Sequence, residues 1–378
     1  MPEQNRELKN RVREIRSHGS VRGQGRNGLA LLGRMAIDES TLKLTWLGGT
    51  VNALFNWAYL RSRRSYFAAG AYPSEIFLEL TSVCNLKCPM CPHKTMKRKA
   101  GHLETGLAEK LAKELSQHHP MLRQLGLHGF GEALLHPELG TILSMLRRRL
   151  PTTRLSVGVN LASARAEQID VMFDNGITEI GVWIDSIREE TYEVQRAGAK
   201  LKKTLEAVEY VLERKRRSES AYPLFHIGMI LTRLNEGQIE EFVRFWRERL
   251  RGVRGVGLYS TRAHNFAGEM CEEDLLLRPR SRYYVNRPCS MPFQQVLILS
   301  SGEICFCCYD VEGETSAGNL REMTLGEAWR SEKARRFREE AARTEFRAGL
   351  CKRCEVKRFH LLDGRPKPTE YISYRETF

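Results

Sequence analysis

The chain has 378 residues, 42% of them apolar and 28% charged, a soluble globular composition with room for one large domain and a smaller one. Lys and Arg number 60 against 46 Asp and Glu, a net charge of +14. The surplus suits an anionic partner, but no nucleic-acid-binding motif accompanies it, so nucleic acid is not expected. The start of the chain is polar and no stretch approaches ~18 consecutive apolar residues, so neither a signal peptide nor a membrane span is expected and the cytoplasm is the expected compartment. There, ten Cys read as metal ligands more readily than as disulfides.

Residues 1 to about 40 are polar and aperiodic and read as a mobile tail. Over 43–63, Leu47, Val51, Leu54, Phe55 and Ala58 recur at helical spacing. Trp46, Trp57 and the arginines of that segment would suit a membrane surface; packing on its own domain is the ordinary alternative. From residue 75 the chain alternates. "EIFLELT" (75–81), "RQLGLHG" (123–129), "RLSVGVN" (154–160), "EIGVWID" (179–185), "LFHIGMIL" (224–231) and "VRGVGLYS" (253–260) are predicted strands. Helices are predicted near 104–117, 138–149 and 163–174, through "LKKTLEAVEYVLERKRR", and over "EGQIEEFVRFWRERL". Six such alternations predict parallel βα units, a partial (β/α)6 TIM-like barrel with its site at the C-terminal strand ends.

Directly after the first strand, Cys84, Cys88 and Cys91 stand as C-x3-C-x2-C. Zinc sites complete a tetrahedron with a second pair, and a cubane cluster usually takes four thiolates. Three thiols in one tight loop leave a metal position for something other than protein. A zinc loop or buried structural thiols are the plainer alternatives.

This run resembles the radical SAM superfamily over about residues 70–265. The resemblance implies that the three thiolates hold a 4Fe–4S cluster whose fourth iron binds S-adenosyl-L-methionine. Reductive cleavage of that cosubstrate then yields a 5′-deoxyadenosyl radical that takes hydrogen from a substrate. "HGFGEALLHPEL" (128–139) is similar to the family's Gly-Gly-Glu region. Gly129, Gly131 and Glu132 would meet the methionine ammonium, the glycines allowing close backbone approach; Ala133 stands where relatives commonly have proline. The resemblance also implies Asn160 near the cosubstrate, Asp185 or Ser186 on the ribose hydroxyls, and Arg196 on the methionine carboxylate. Met90 would lie against adenine.

Farther on, Cys289, Gly302, Cys307, Cys351 and Cys354 resemble the SPASM/Twitch extension. "VLILSSGEICFCC" reads as a hairpin turning at Ser301-Gly302, and "SAGNLREMTLGEAW" (316–329) resembles the usual linker and helix. Four thiolates fit one auxiliary 4Fe–4S cluster, with Cys305 and Cys308 as alternatives for the second ligand and zinc as the alternative metal. The expected organisation is a basic tail and amphipathic helix (1–70), an α/β partial barrel (71–265) and a small Twitch/SPASM-like domain (266–378).

The expected activity is hydrogen abstraction from an unactivated carbon, with net oxidation of a sugar- or cyclitol-like metabolite. Epimerisation and peptide maturation are alternatives, and a noncatalytic iron–sulfur binding module is the alternative of another class. An epimerase needs a hydrogen donor; Cys271, Cys305 and Cys308 are the spare thiols. Flavodoxin or ferredoxin is the expected electron donor, with Lys87, Lys94, Lys97, Arg98 and Lys99 around the cluster loop as a docking face. His264 and Asn265 either touch substrate or cap the barrel.

Overall fold

The computed structural model describes residues 67–356 apart from 119–120, 219, 271–274 and 278–283, together with 54, 56–58, 60–61, 358–360 and 374–375. The expected tail, most of the 43–63 helix and Cys271 lie outside the described residues. Among the described residues no helix is long and apolar enough to cross a membrane.

Six strands, β1 (Glu75–Leu78), β2 (Gln124–Leu127), β3 (Arg154–Val159), β4 (Glu179–Trp183), β5 (Leu224–Leu231) and β6 (Val256–Arg262), pair in parallel in chain order. Parallel neighbours need crossovers, supplied by α1 (Thr105–Gln117), α2 (Leu139–Arg149), α3 (Ala166–Asp174), α4 (Glu189–Gln195), α5 (Leu201–Arg216) and α6 (Ile239–Leu250). Their sequences show why they form and how they pack. In α1, Leu107, Leu111 and Leu115 make one buried stripe, and α2 buries Leu139, Ile142, Leu143 and Leu146.

A parallel sheet covered on both faces usually has continuous apolar strands. These strands alternate instead. Leu155 and Val157, Ile180 and Val182, and Phe225 and Ile227 are buried in the core, while Ser156, Gly158, Glu179, Gly181 and Trp183 border a cavity. The barrel lumen is therefore hollow, with polar, Gly and aromatic positions on its wall, unlike the side-chain-filled core of a closed TIM barrel.

The chain then forms β7 (Tyr284–Asn286), β8 (Gln295–Ile298), β9 (Glu303–Cys305), β10 (Ser316–Asn319), β11 (Arg358–His360) and β12 (Tyr374–Arg375), with α7 (Leu325–Arg330), α8 (Glu332–Arg343) and α9 (Gly349–Arg353). The β8–β9 hairpin turns at Gly302, whose φ is +98°, a conformation that favours glycine. The hairpin does not stand apart. Strand β8 pairs in parallel with β1, β9 and β10 extend that edge, and β12 pairs antiparallel with β6. Helix α1 fastens the same region from outside. The Glu114 carboxylate accepts the Leu325 and Gly326 amides at 2.9 and 2.7 Å, and Arg321 forks onto Glu104 at 2.9 and 2.8 Å.

Candidate active site

Beyond β1 the chain carries Glu79, fully buried, into the three-cysteine loop. Its Oε1 accepts the Phe130 amide at 3.0 Å and Arg98 Nη2 at 2.6 Å. Its Oε2 accepts the Ser300 amide at 2.9 Å and Ser300 Oγ at 2.8 Å. A buried carboxylate needs such compensation, and here it ties together the ends of β1, β2 and β8. Cys84, Cys88 and Cys91 line one cavity of about 330 Å³ at that end of the barrel. Burial pushes the Cys84 thiol up to about 11 and Cys91 up to about 12, and raises Cys88 as well. Thiolates in this pocket need positive charge beside them.

Gly129 and Gly131 come from the β2 end onto this loop. A Cβ on Gly131 would stand 2.1 Å from the Thr81 carbonyl oxygen, and one on Gly129 would stand 2.6 Å from the Glu79 side chain. Packing against the cluster loop is thus sufficient to require both glycines, whatever approaches from the cavity. Glu132 is buried at the cavity wall. Its Oε2 accepts the Asn160 amide at 2.7 Å and its Oε1 the Leu134 amide at 3.2 Å. Burial raises its carboxyl to about 7, against those two amides and Arg196. Asn160 also lines the cavity, while its side chain donates to Asn85 Oδ1 at 2.9 Å and accepts from the Ala162 amide.

Arg196, just past α4, is buried and borders the same cavity. Its Nε lies 2.7 Å from Asp185 Oδ2 and its Nη1 lies 3.9 Å from Cys88 Sγ. Nη2 is buried with no hydrogen-bond partner. Asp185 and Ser186 depart from expectation. Neither borders the cavity. Asp185 is committed to Arg196 and to the Ile230 amide at 2.7 Å; burial pushes its carboxyl up and Arg196 opposes it. Ser186 Oγ donates to Gln238 Oε1 at 2.6 Å. Met90 is likewise buried in the core rather than at the cavity.

A second cavity, of about 90 Å³, is lined by Cys289, Cys307, Cys351 and Cys354, with Tyr309 and Met291. Cys308 does not line it, although its charge couples to Cys289 and Cys354; its Sγ lies 3.8 Å from Met291 Sδ. Cys305 points elsewhere. It is fully buried among Phe130, Leu297, Leu299 and Val311. Cys305 and Cys308 also do not line the barrel cavity. Among the described residues no three Cys, His, Asp or Glu side chains are gathered around a single-ion position.

Neither His264 nor Asn265 borders either cavity. The His264 ring packs on Phe266 and Tyr309 at 4.2 and 4.3 Å, and Asn265 Nδ2 donates to the Arg353 carbonyl at 3.1 Å. Ring contacts run from Phe130 at the barrel cavity through Phe266 to Tyr309 at the second one, 6.4 and 5.7 Å between centroids. Arg98 is not a free surface charge. Besides Glu79, it donates through Nε to the Val311 carbonyl at 2.5 Å, whereas Lys97 and Lys99 are exposed.

Sequence reasoning passed over Glu79 and the lumen residues His128, Trp183 and Tyr259. Period-two alternation of polar and Gly positions with buried aliphatics was the signal for the lumen; Glu79 gave none, because its partners lie 19, 51 and 221 residues away.

Comparison with known proteins bears on both cavities. Residues 78–245 match the model of the radical SAM superfamily, and 289–355 that of the SPASM iron–sulfur cluster-binding domain. Together these bring a 4Fe–4S cluster with S-adenosyl-L-methionine, and an auxiliary cluster behind the barrel. The S-adenosyl-L-methionine-dependent 2-deoxy-scyllo-inosamine dehydrogenase of Niallia circulans is 23% identical over 74% of this chain and 92% of its own. A tungsten-containing aldehyde ferredoxin oxidoreductase cofactor-modifying protein of Pyrococcus furiosus is 21% identical over 45% of this chain, which spans only 47% of that relative. Among solved structures, BtrN in complex with AdoMet and 2-DOIA aligns with a TM-score of 0.52 at 20% identity, covering 79% of this chain and 98% of BtrN. Streptococcus suis SuiB bound to precursor peptide SuiA aligns with a TM-score of 0.58 at 14% identity, covering 86% of this chain and 80% of SuiB. At these identities the structural likeness speaks for the fold.

Proposed function

The chain belongs to the radical SAM superfamily, with a SPASM domain behind its barrel, and on that premise we propose that it dehydrogenates a small hydroxylated metabolite of the sugar or cyclitol kind. One observation carries the reading: two thiol-lined cavities, one in the barrel and one behind it, are joined by ring contacts through Phe130, Phe266 and Tyr309. When bound, the cluster and S-adenosyl-L-methionine supply a 5′-deoxyadenosyl radical for hydrogen abstraction, and the auxiliary cluster supplies an electron acceptor.

In this reading Cys84, Cys88 and Cys91 hold the barrel cluster and leave one iron to the cosubstrate. Arg196 offers its unpartnered Nη2 to the methionine carboxylate, with Asp185 fixing the guanidinium. Glu132 and the Gly129–Gly131 turn face the ammonium. Cys289, Cys307, Cys351 and Cys354 hold the auxiliary cluster. Cys305 and Cys308 do not line the barrel cavity, and Cys271, the third spare thiol, lies outside the described residues; oxidation is the reading carried forward over epimerisation. The likeness to SuiB, solved with a precursor peptide, favours a peptide substrate as the second reading. Electrons would come from a flavodoxin or ferredoxin in the cytoplasm.

Anaerobic reconstitution is expected to give about eight irons per chain. Replacing Cys84, Cys88 and Cys91 by Ala should leave about four and abolish 5′-deoxyadenosine formation. A product lacking two hydrogens, with no solvent deuterium on the reacting carbon, is expected in heavy water. Deuterium at an inverted carbon would establish epimerisation instead; stoichiometric zinc behind the barrel would sink the auxiliary cluster; and absence of 5′-deoxyadenosine would leave a binding module.

A further inference from the structure

Inside the barrel, beyond the cluster loop, three polar side chains border the cavity and are bonded to nothing. Among the described residues the His128 imidazole, the Trp183 indole and the Tyr259 hydroxyl have no hydrogen-bond partner. All three are half-buried and face the cavity, whereas their neighbours on the wall are paired. Gln124 donates to Ser156 Oγ at 2.7 Å. Glu179 sits between Arg154 and His226, with His226 Nε2 at 3.4 Å.

The backbone around the three is built to leave room. Gly158 and Gly181 stand side by side on β3 and β4, and a Cβ on either would meet nothing nearer than 3.5 Å. At Gly228 the requirement is reversed. A Cβ there would lie 2.4 Å from the Trp183 ring and 2.7 Å from the Tyr259 ring, so this glycine lets the two rings meet edge to face with centroids 4.6 Å apart. The His128 ring is steadied on the fourth side by Phe77 at 5.0 Å.

We propose that the lumen floor walled by His128, Trp183 and Tyr259 is the substrate subsite, and that it takes a neutral polyhydroxylated ring. The inference rests on the dehydrogenase reading above and adds the residues that recognise the substrate. A cyclitol or pyranose presents an apolar C–H face to the Trp183 and Tyr259 rings and hydroxyls to the three polar tips. Charge complementarity points the same way. The Glu179 carboxylate is already paired with Arg154, and burial holds the His128 imidazole neutral, its pKa lowered to about 4. A free ammonium or phosphate would find no uncompensated partner on this floor. The position is productive. His128 immediately precedes the Gly129–Glu132 turn that packs on the cluster loop.

The test is calorimetric titration of the cluster-loaded, S-adenosyl-L-methionine-bound enzyme with myo-inositol, scyllo-inositol and D-glucose. At least one should bind. His128→Phe, Trp183→Phe and Tyr259→Phe, each keeping a ring and deleting a polar tip, should each weaken that binding about tenfold. Trp183→Ala should weaken it further by removing the stacking face. Affinity for S-adenosyl-L-methionine is measured in parallel and should change less than twofold. Should a ring variant fail to fold, Gly158→Leu fills the lumen from β3, beside His128, and should block the polyol alone. No binding by any of the three compounds, variants that bind as the wild type does, or cosubstrate affinity falling in step would each overturn the proposal. A polyol that binds at these residues without being oxidised would uphold the subsite and overturn the dehydrogenase reading.

Discussion

Glu132 occupies a position where burial and hydrogen bonding pull its proton in opposite directions. Desolvation raises the carboxyl from 4.5 to about 7, and the Asn160 and Leu134 amides with Arg196 hold it from rising further. The folded state therefore binds this proton more tightly than the unfolded chain does. The resulting stabilisation is full below about pH 4.5 and is lost as pH rises through about 7, a change on the order of 3 kcal/mol. Urea denaturation of the cluster-free protein from pH 4.5 to 7.5 should show that decline, and Glu132→Gln should remove most of it. A variant with the same slope as the wild type would mean that the proton sits elsewhere. Asp185 shows the complementary case, a buried carboxylate held by a buried guanidinium whose Nη2 has no hydrogen-bond partner.

The cluster loop and the turn after β2 act as one element. Gly131 touches the Thr81 carbonyl, and the Glu132 amide donates to the Val83 carbonyl at 2.9 Å, so the turn fixes the backbone leading into Cys84. Gly131→Ala puts a methyl 2.1 Å from that carbonyl oxygen, and the strand end must shift. Iron in the barrel should fall by half or more, while the auxiliary cavity, which shares none of these contacts, keeps about four irons. Gly158→Ala is the control, since its new methyl meets only the His128 side chain, at 3.6 and 3.9 Å. Iron analysis of the two variants decides the matter; equal loss in both would mean that the turn does not organise the loop. Element boundaries also separate the C-terminal cysteines. Cys305 is the last residue of β9 and stands opposite Leu297, whereas Cys307 lies past the strand end and is free of its alternation.

Across the whole molecule, the sheet runs unbroken from β10 through the barrel to β12, and Glu79 ties the cluster loop to Ser300 behind β8. This alters what the basic run over residues 97–99 does. Lys97 and Lys99 are exposed, while Arg98 is 12% exposed and paired with Glu79. Reversing Lys97 and Lys99 should slow flavodoxin-driven turnover at low salt and leave dithionite-driven turnover intact. Arg98→Glu places a second carboxylate beside a buried one and should impair both. Stopped-flow reduction with each donor separates these outcomes. Selective loss with Arg98→Glu alone would return that residue to the docking face.

The order of strands and helices, the three-thiol loop after β1, the hairpin at Gly302 and the four thiols of the second cavity were legible in the sequence. Each depends on a short-range pattern: alternation, helical spacing, or fixed intervals between cysteines. Arg196 and Glu132, which border the barrel cavity, were expected through a resemblance that itself rests on local motifs. The rest required the fold. Whether Asp185 meets a ligand or Arg196, whether Cys305 faces the core or a cavity, and whether β8 pairs with β1 depend on register and on groups far apart along the chain; Glu79 and Ser300 are separated by 221 residues. The hollow lumen is of the same kind. Its polar and Gly positions stand in plain view along β2 to β5, but only closure of the sheet turns those alternating faces toward one another and leaves His128, Trp183 and Tyr259 around a shared cavity.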